Sequence, residues 1–399
     1  MKMWVYIVRR IALLIPVVIG VMTITFVLVS EVPVSERLLA FIGPSKHGYS
    51  PQIPCSQLTP GSNSTQLCDN PAYFNGIRTL GLDKPYPVQW GIWIYNSFSL
   101  NWGNTSTHSM ASGSLGLGSS TTVITVLSWY LPYTLELAAA SLLLILLLAI
   151  PIGNYSAVYR NRPFDQGARV VSFSGYALPG FLLAILLLMV GTFALGGFIP
   201  ICNNQATPFD QIYGSWPPAA CLPGSPLSLP TWIDQHQSTS PTHFPTVDAL
   251  VHGDWYLAIQ SLQRLILPAL TIAYGATAVI LRFVRNSMLE VMNLDYIRTA
   301  RSKGVPERAV IRRHAGRNSL NVTVTVLGLT FAGFVGGFAI IELVFGLRGI
   351  GRVLAYSILQ PVDFGLIFGT TLLFTFVVVI ANIIVDVLYA YLDPRVRLG

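Results

Sequence analysis

The sequence predicts an all-α membrane protein with six transmembrane helices and extended extracytoplasmic loops. Hydrophobic residues make up 52% of its 399 residues, charged residues make up only 10%, and the mean hydropathy is +0.58. Soluble domains carry about 25% charged residues, so these values exclude an ordinary water-soluble domain. They also exclude a disordered chain, which contains few apolar residues, and four cysteines are too few for a small disulfide scaffold.

Six apolar stretches are long enough to cross the hydrocarbon core of a bilayer, which takes about 20 helical residues. They are Ile11–Ser30, Leu131–Gly153, Val170–Phe193, Leu265–Leu281, Val322–Phe345 and Gly365–Tyr391. The first stretch is too long for the apolar part of a signal peptide, and no small-residue cleavage site follows it. We therefore expect the first stretch to remain in the protein as a membrane anchor.

The positions of the basic residues set the predicted orientation. With both termini in the cytoplasm, 17 of the 24 Lys and Arg residues lie on the inner side, as the positive-inside rule requires. The predicted organisation is then a cytoplasmic tip and first helix (1–30), an extracytoplasmic region (31–130) and a core of helices two to six (131–399). The core includes an outer loop (197–262) and a basic cytoplasmic region (282–320).

All four cysteines fall in predicted outer loops, on the side where disulfides persist. The short pairs Cys55–Cys68 and Cys202–Cys221 are the favoured connectivity, and four unrelated thiols are the alternative. No His or Cys doublet at ligand spacing accompanies them, so we do not expect a metal site.

The first outer region contains an aromatic run late in its length, from Trp90 to Trp102. Two interpretations remain open for it. The rings suit the outer membrane interface, where an apolar body and a polar tip are both accommodated. They also suit a small packed subdomain.

The cytoplasmic region is unusual because its nine basic residues lie in a helix-prone segment. Tyr296, Ile297 and Ala300 form an apolar patch between charges, which predicts a short amphipathic helix. Gly304 can end that helix, and Pro306 suits the first turn of a second one. The positive-inside rule explains the charge alone, but it does not explain the order helix, glycine, proline, helix.

Motifs for the common enzyme chemistries are absent from the sequence. None of the four lysines follows a glycine, which excludes a phosphate-binding P-loop, and there is no His-Glu-x-x-His or Gly-x-Ser-x-Gly. The charges within predicted spans, Glu136, Glu342 and Asp386, lie near helix ends rather than at the membrane midplane. Gly333 and Gly337 have the spacing that allows close helix packing. We therefore predict no catalytic residues.

Several segments together resemble one family. The stretch from Asp295 to Asn318 is similar to the EAA loop of binding-protein-dependent ABC import permeases of the oligopeptide/dipeptide branch. Further similar segments are Leu82–Pro85, Pro87–Gln89, Leu131–Leu137, Ala177–Phe181, Leu267–Leu270, Glu342–Phe345, Gly349–Gly351 and Asp386–Arg395. The sequence departs from the family pattern at Val322, where the branch favours proline, and its outer loops are longer.

The resemblance implies a type I ABC importer permease in the plasma or inner membrane, with region 282–320 acting as the coupling region. The residues it assigns to ATPase coupling are Tyr296, Arg298, Thr299, Ala300, Arg301, Lys303, Gly304 and Arg308. It implies a second homologous permease, one or two ATPase subunits that carry ATP and Mg²⁺, and an extracytoplasmic binding protein. It implies no cofactor on this chain and no nucleic acid.

The implied substrate is an oligopeptide or dipeptide. Aromatic, lysine-poor outer loops leave an oligosaccharide as an alternative. A stand-alone secondary transporter and an adhesion or assembly protein that uses its outer loops are further alternatives.

Overall fold

The computed structural model describes most of the segments that these predictions concern. The described residues are 3–42, 45–46, 48–58, 66–105, 121–191, 242, 244–253, 255–316, 318–319, 326–327, 338–359 and 362–392. The chain divides into two compact units. The first unit consists of Met1–Ile11, Pro132–Gly351 and Val378–Gly399, and the second consists of Ala12–Leu131 and Arg352–Val377.

The described residues are predominantly helical, as the sequence predicts. The helices in chain order are α1 (Met3–Ser30), α2 (Val34–Ile42), α3 (Pro71–Leu80), α4 (Tyr86–Phe98), α5 (Val123–Val158), α6 (Pro163–Ala177), α7 (Gly180–Met189), α8 (Pro245–Val251), α9 (Trp255–Met292), α10 (Asp295–Ser302), α11 (Glu307–Ala309), α12 (Ile350–Ile358) and α13 (Phe364–Leu392). A π-helical turn, Val310–Ala315, continues α11, and residues 338–344 are also helical.

Among the described residues, four helices are long and apolar enough to cross a membrane. These segments are Ala12–Ser30, Val123–Val158, Ser261–Met292 and Phe364–Ile384. Counting α6 and α7 together as one broken span raises the number to five. The chain is therefore a multi-pass membrane protein. The predicted total of six is not confirmed, because most of Val322–Phe345, including Gly333 and Gly337, lies outside the described residues.

The third predicted span, Val170–Phe193, is not a continuous helix. It breaks between α6 and α7, whose axes differ by 105°. Leu178 takes an extended conformation (φ −83°, ψ 121°) immediately before Pro179. The proline ring disfavours helical backbone at the preceding residue, and proline cannot donate a helix hydrogen bond. The apolar run therefore continues through a bend that hydrophobicity alone does not reveal.

The fourth predicted span, Leu265–Leu281, is part of a much longer helix. Helix α9 has 38 residues and continues to Met292, past the predicted end of the apolar stretch. Val284, Met288 and Val291 are buried at spacings of four and three residues, so one face stays apolar beyond the membrane-length segment. This extension leads directly into the basic coupling region.

Small residues bring the helices of the first unit close together. A Cβ atom placed on Gly153 of α5 would lie 2.8 Å from Val284 of α9, and one on Gly175 of α6 would lie 2.8 Å from Ala278. A buried cluster continues this packing between α5 and α9; it contains Ile145, Ala149, Ala273, Ala276, Ile280, Leu281 and Val284. Because interiors are close-packed, these helices form one tightly packed body.

The second unit contains the residues of the predicted extracytoplasmic region. Strands β1 (Gln52–Pro54) and β2 (Leu67–Asp69) pair antiparallel, and the predicted Cys55–Cys68 disulfide joins them. Asn70 then caps α3, since its side-chain oxygen accepts a hydrogen bond from the Ala72 amide. The other predicted pair, Cys202–Cys221, lies outside the described residues.

The aromatic run of the second unit is partly packed rather than wholly interfacial. Trp93 contacts Phe41 and Phe368 edge to face and donates a hydrogen bond to the Met22 carbonyl. Trp102 is buried, whereas Tyr95 remains 73% exposed. The inward-facing rings therefore pack against α1 and α13, two candidate membrane helices, which neither interpretation described.

Candidate coupling surface

Helix α10 belongs to the basic region 282–320, and one of its faces is buried. It begins at Asp295, directly after α9, where an acidic side chain complements the positive end of the helix dipole. Ile297 and Ala300, three residues apart, are buried. They form a cluster with Ala157 of α5 and with Met288 and Val291 of α9. The helix is thus fixed to both α5 and α9 by apolar contacts.

The turn after α10 requires glycine. Gly304 has a φ of +74°, the left-handed region that L-residues rarely occupy. Its amide donates to the Arg301 carbonyl at 2.9 Å, and the Val305 amide donates to the Ala300 carbonyl at 3.2 Å. These two bonds define a Schellman motif, in which glycine ends the helix and reverses the chain. The predicted role of Gly304 in ending the helix agrees with this geometry.

The second helix starts one residue later than predicted. Pro306 precedes the first helical residue, with extended backbone (φ −55°, ψ 138°), and α11 begins at Glu307. The chain then continues as the π-helical turn, within which Val310 and Ala315 are buried in the same cluster as Ala300. Both helical segments of the predicted pair therefore pack into one apolar cluster with Ala157 of α5 and with Met288 and Val291 of α9.

An ion pair joins the two sides of the Gly304 turn. Arg301 donates to Glu307 from Nη2 at 2.7 Å and from Nε at 3.1 Å. This hydrogen bonding lowers the pKa of the Glu307 carboxyl and raises the pKa of Arg301. The guanidinium is therefore engaged within the chain, and the part of Arg301 in ATPase coupling stays a prediction.

Other basic residues remain available on the exposed face. Arg298 is exposed, and its Nη1 lies 3.4 Å from Oδ1 of the still more exposed Asp295, a weak contact. Lys303 and Arg308 are exposed, and neither forms an ion pair within the described part of the chain. Arg312 and Arg313 extend this exposed basic surface along the π-helical turn. The exposed surface formed by Arg298, Lys303, Arg308, Arg312 and Arg313 is thus positively charged.

The predicted coupling residues divide into exposed and buried groups. Tyr296 is exposed by 39%, and its hydroxyl accepts a hydrogen bond from Asn318 at 2.7 Å. Thr299 is exposed, and its hydroxyl donates to the Asp295 carbonyl. Ala300 is only 8% exposed. Its small side chain therefore permits close approach between α10 and the chain's own helices.

Two buried carboxylates have structural roles that the sequence analysis did not assign. Glu342 is fully buried and accepts a hydrogen bond from the Thr134 hydroxyl at 2.7 Å. A Cβ atom on Gly349 would overlap the Glu342 carboxyl, and one on Gly351 would approach it to 2.8 Å. Gly349 and Gly351 thus leave space for the Glu342 carboxyl, which larger side chains would fill. The two closely spaced glycines shortly after Glu342 were the sequence feature that could have indicated this packing.

The second carboxylate is Asp165, at the start of α6. It is fully buried and paired with Arg285 of α9, 120 residues away. The spacing of Asp165 and Arg169 indicates a local ion pair, but nothing in the local sequence indicates the link to Arg285, because that partner is distant in sequence. Among the described residues, no group of three or more His, Cys, Asp or Glu side chains could hold a metal ion.

Comparison with known proteins places these features in a family. Residues 149–398 match the family described as the binding-protein-dependent transport system inner membrane component. The dipeptide transport system permease protein DppB of Escherichia coli is 30% identical over 395 residues, which cover 98% of each chain. The oligopeptide transport system permease protein AppB of Bacillus subtilis is 29% identical, over 98% of this chain and 99% of its own.

A third relative is an Escherichia coli protein named "Probable D,D-dipeptide transport system permease protein DdpB". It is 34% identical over 350 residues, which cover 86% of this chain and 91% of the relative. The family match includes α9, α10, the Gly304 turn and α11. The chain therefore belongs to the family of inner membrane components of binding-protein-dependent transport systems and is a permease subunit of an ABC importer, not an enzyme.

Proposed function

We propose that this chain is a permease subunit of a peptide importer and that the exposed face of α10 docks on an ATPase subunit in the cytoplasm. The observation that carries this proposal is the construction of α10. Its apolar face is buried against α5 and α9. The turn at Gly304 reverses the chain, so that the next helical segment packs on the same apolar cluster. A force applied to the exposed face would thus reach two membrane helices directly.

Charge supports a protein partner at this face. Arg298, Lys303 and Arg308 are exposed, so an acidic groove on an ATPase would complement them. Both termini would then lie in the cytoplasm, in accord with the basic inner segments. We place ATP and Mg²⁺ on the ATPase subunits, with a second homologous permease completing the path and an extracytoplasmic binding protein delivering the substrate.

Peptide is the proposed substrate because the relatives named above are dipeptide and oligopeptide transport permeases that align with nearly the whole chain. An oligosaccharide is not favoured by those relatives. A secondary transporter is not supported either, because α10 and its turn have no evident use in a protein driven only by an ion gradient.

Purification and reconstitution of the intact complex test this proposal. We expect the tagged chain to retain an ATPase and a second permease, and proteoliposomes to import radiolabelled peptides when ATP and the binding protein are supplied. Gly304→Pro should abolish uptake, since proline cannot adopt a positive φ and lacks the amide that bonds Arg301. Uptake by the chain alone under an ion gradient, or ATP-driven uptake of oligosaccharides but not peptides, would contradict the proposal.

A further inference from the structure

A buried aspartate organises the turn that joins α5 to α6. Asp165 has no exposed surface. Its Oδ1 accepts a hydrogen bond from the Ser156 hydroxyl near the end of α5, and its Oδ2 accepts one from the Asn161 amide at 2.9 Å. Asn161 takes a positive φ of 64°, a left-handed conformation that asparagine tolerates, and the carboxylate bonds its amide in this turn.

The same carboxylate binds α9 through a two-pronged ion pair. Arg285 donates from Nε to Oδ1 at 2.7 Å and from Nη2 to Oδ2 at 3.0 Å. Two parallel bonds of this kind fix orientation as well as distance. Arg169, one turn further along α6, also donates to Oδ2, but its side chain is 42% exposed, whereas that of Arg285 is 13% exposed.

This ion pair is close in sequence to the residues of α5 and α9 that pack against α10. Arg285 is three residues before Met288, which packs against α10, and Ser156 precedes Ala157, which belongs to the same cluster. On its other side, Ser172 of α6 donates a hydrogen bond to the Ala278 carbonyl of α9. Asp165 thus connects α5, α6 and α9 at the point where α10 contacts two of them.

We propose that Asp165 and Arg285 are positioning residues that make α5, α6 and α9 move together when α10 is displaced. Among the described residues, the apolar cluster that holds α10 contains residues of α5 and α9 but none of α6. Helix α6 already packs on α9 near Gly175 and Ala278, and the ion pair adds a second, charged link from the first turn of α6 to the part of α9 that is close to α10. This inference rests on the proposed docking of α10 on an ATPase, and it extends that proposal to the path of the force.

A purely structural role must be distinguished from this one. Removing one partner of a buried ion pair leaves a buried charge uncompensated and is strongly destabilising, so Asp165→Asn would confuse misfolding with lost coupling. Arg285→Lys keeps the positive charge but replaces the two guanidinium bonds with the contact of a single ammonium group, which does not fix orientation. Arg169→Gln is the matched control, because it removes the other ion pair of Asp165 and leaves the pair between Asp165 and Arg285 of α9 in place.

The experiment measures substrate imported per ATP hydrolysed by the full complex in proteoliposomes. For Arg285→Lys we expect ATP hydrolysis to continue while substrate imported per ATP falls about fivefold or more, the lower end of usual coupling energies. Arg169→Gln should stay within about twofold of the unsubstituted complex. The inference is overturned if Arg285→Lys keeps the original ratio, if it fails to assemble, or if both variants lose transport equally.

Failure of this inference can be told apart from failure of the proposed function. If the unsubstituted complex contains no ATPase, the docking proposal itself is wrong. If that complex imports substrate with ATP and Arg285→Lys does so with the same ratio, only the role of the Asp165–Arg285 pair is wrong.

Discussion

Gly304 is the residue whose requirement is clearest in the structure. Nothing lies within 4 Å of a Cβ atom placed on it, so a substitution there tests the backbone conformation without adding a clash. A left-handed backbone costs an L-residue about 1–2 kcal/mol. We therefore expect Gly304→Ala to increase opening of the turn about 5- to 30-fold, measured as faster hydrogen exchange of the Gly304 and Val305 amides.

Gly304→Asn is the control for this prediction, because asparagine visits the left-handed region far more readily than alanine. It should exchange more slowly than Gly304→Ala and retain more ATP-driven uptake. Equal exchange rates for the two variants would show that a positive φ does not matter at this position.

Residue roles were predictable where they depend on the local chain. The turn at Gly304 could be recognised because a glycine after an amphipathic helix and before a proline is a local signal. The apolar patch predicted for α10 already indicated a buried face at Ile297 and Ala300. The helices that cover it could not be recognised, and neither could the pairing of Asp165 with Arg285, since both depend on segments distant in sequence. The engagement of Arg301 by Glu307 lies between these cases, because the turn brings together residues only six apart.

At the scale of elements, the Arg301–Glu307 pair connects α10 to α11 across the turn. The pKa of Glu307 is lowered by Arg301, so the pair stabilises the turn above the ordinary glutamate pKa and loses this effect as the pH falls through the lowered value. The pair is exposed, and such pairs contribute about 0.2–1 kcal/mol. We expect a small but pH-dependent effect.

Hydrogen exchange of residues 295–316 in the unsubstituted chain and in Glu307→Gln measures this effect. At neutral pH the variant should exchange faster, up to about fivefold. The difference between the two proteins should disappear at a pH below the lowered Glu307 pKa. A difference that persists there would mean that the side chain acts through packing rather than charge.

Helix positions were predicted better than helix continuity. Apolar runs identified the segments now seen in α1, α5, α9 and α13, because a membrane-length helix requires them. They did not reveal the bend before Pro179 or the extension of α9 to Met292. The bend depends on one proline, and the extension depends on an amphipathic rather than a uniformly apolar pattern.

At the scale of the molecule, composition and basic-residue placement predicted a multi-pass membrane protein, and the family match confirms a permease. The central claim is that the exposed face of α10 is the contact with the ATPase. Thr299 and Ala300 are neighbours in sequence but lie on opposite faces, one exposed and one buried. They therefore offer a matched pair of positions for cross-linking.

The most direct measurement attaches a photoactivatable cross-linker to a cysteine at each position, Thr299→Cys or Ala300→Cys, in the assembled complex. The unsubstituted chain controls for labelling at its four natural cysteines. We expect the Thr299 position to cross-link to the ATPase and the Ala300 position to be labelled poorly and to give no such product. Cross-linking to the ATPase from neither position, while the ATPase remains in the complex, would show that this face of α10 is not the contact.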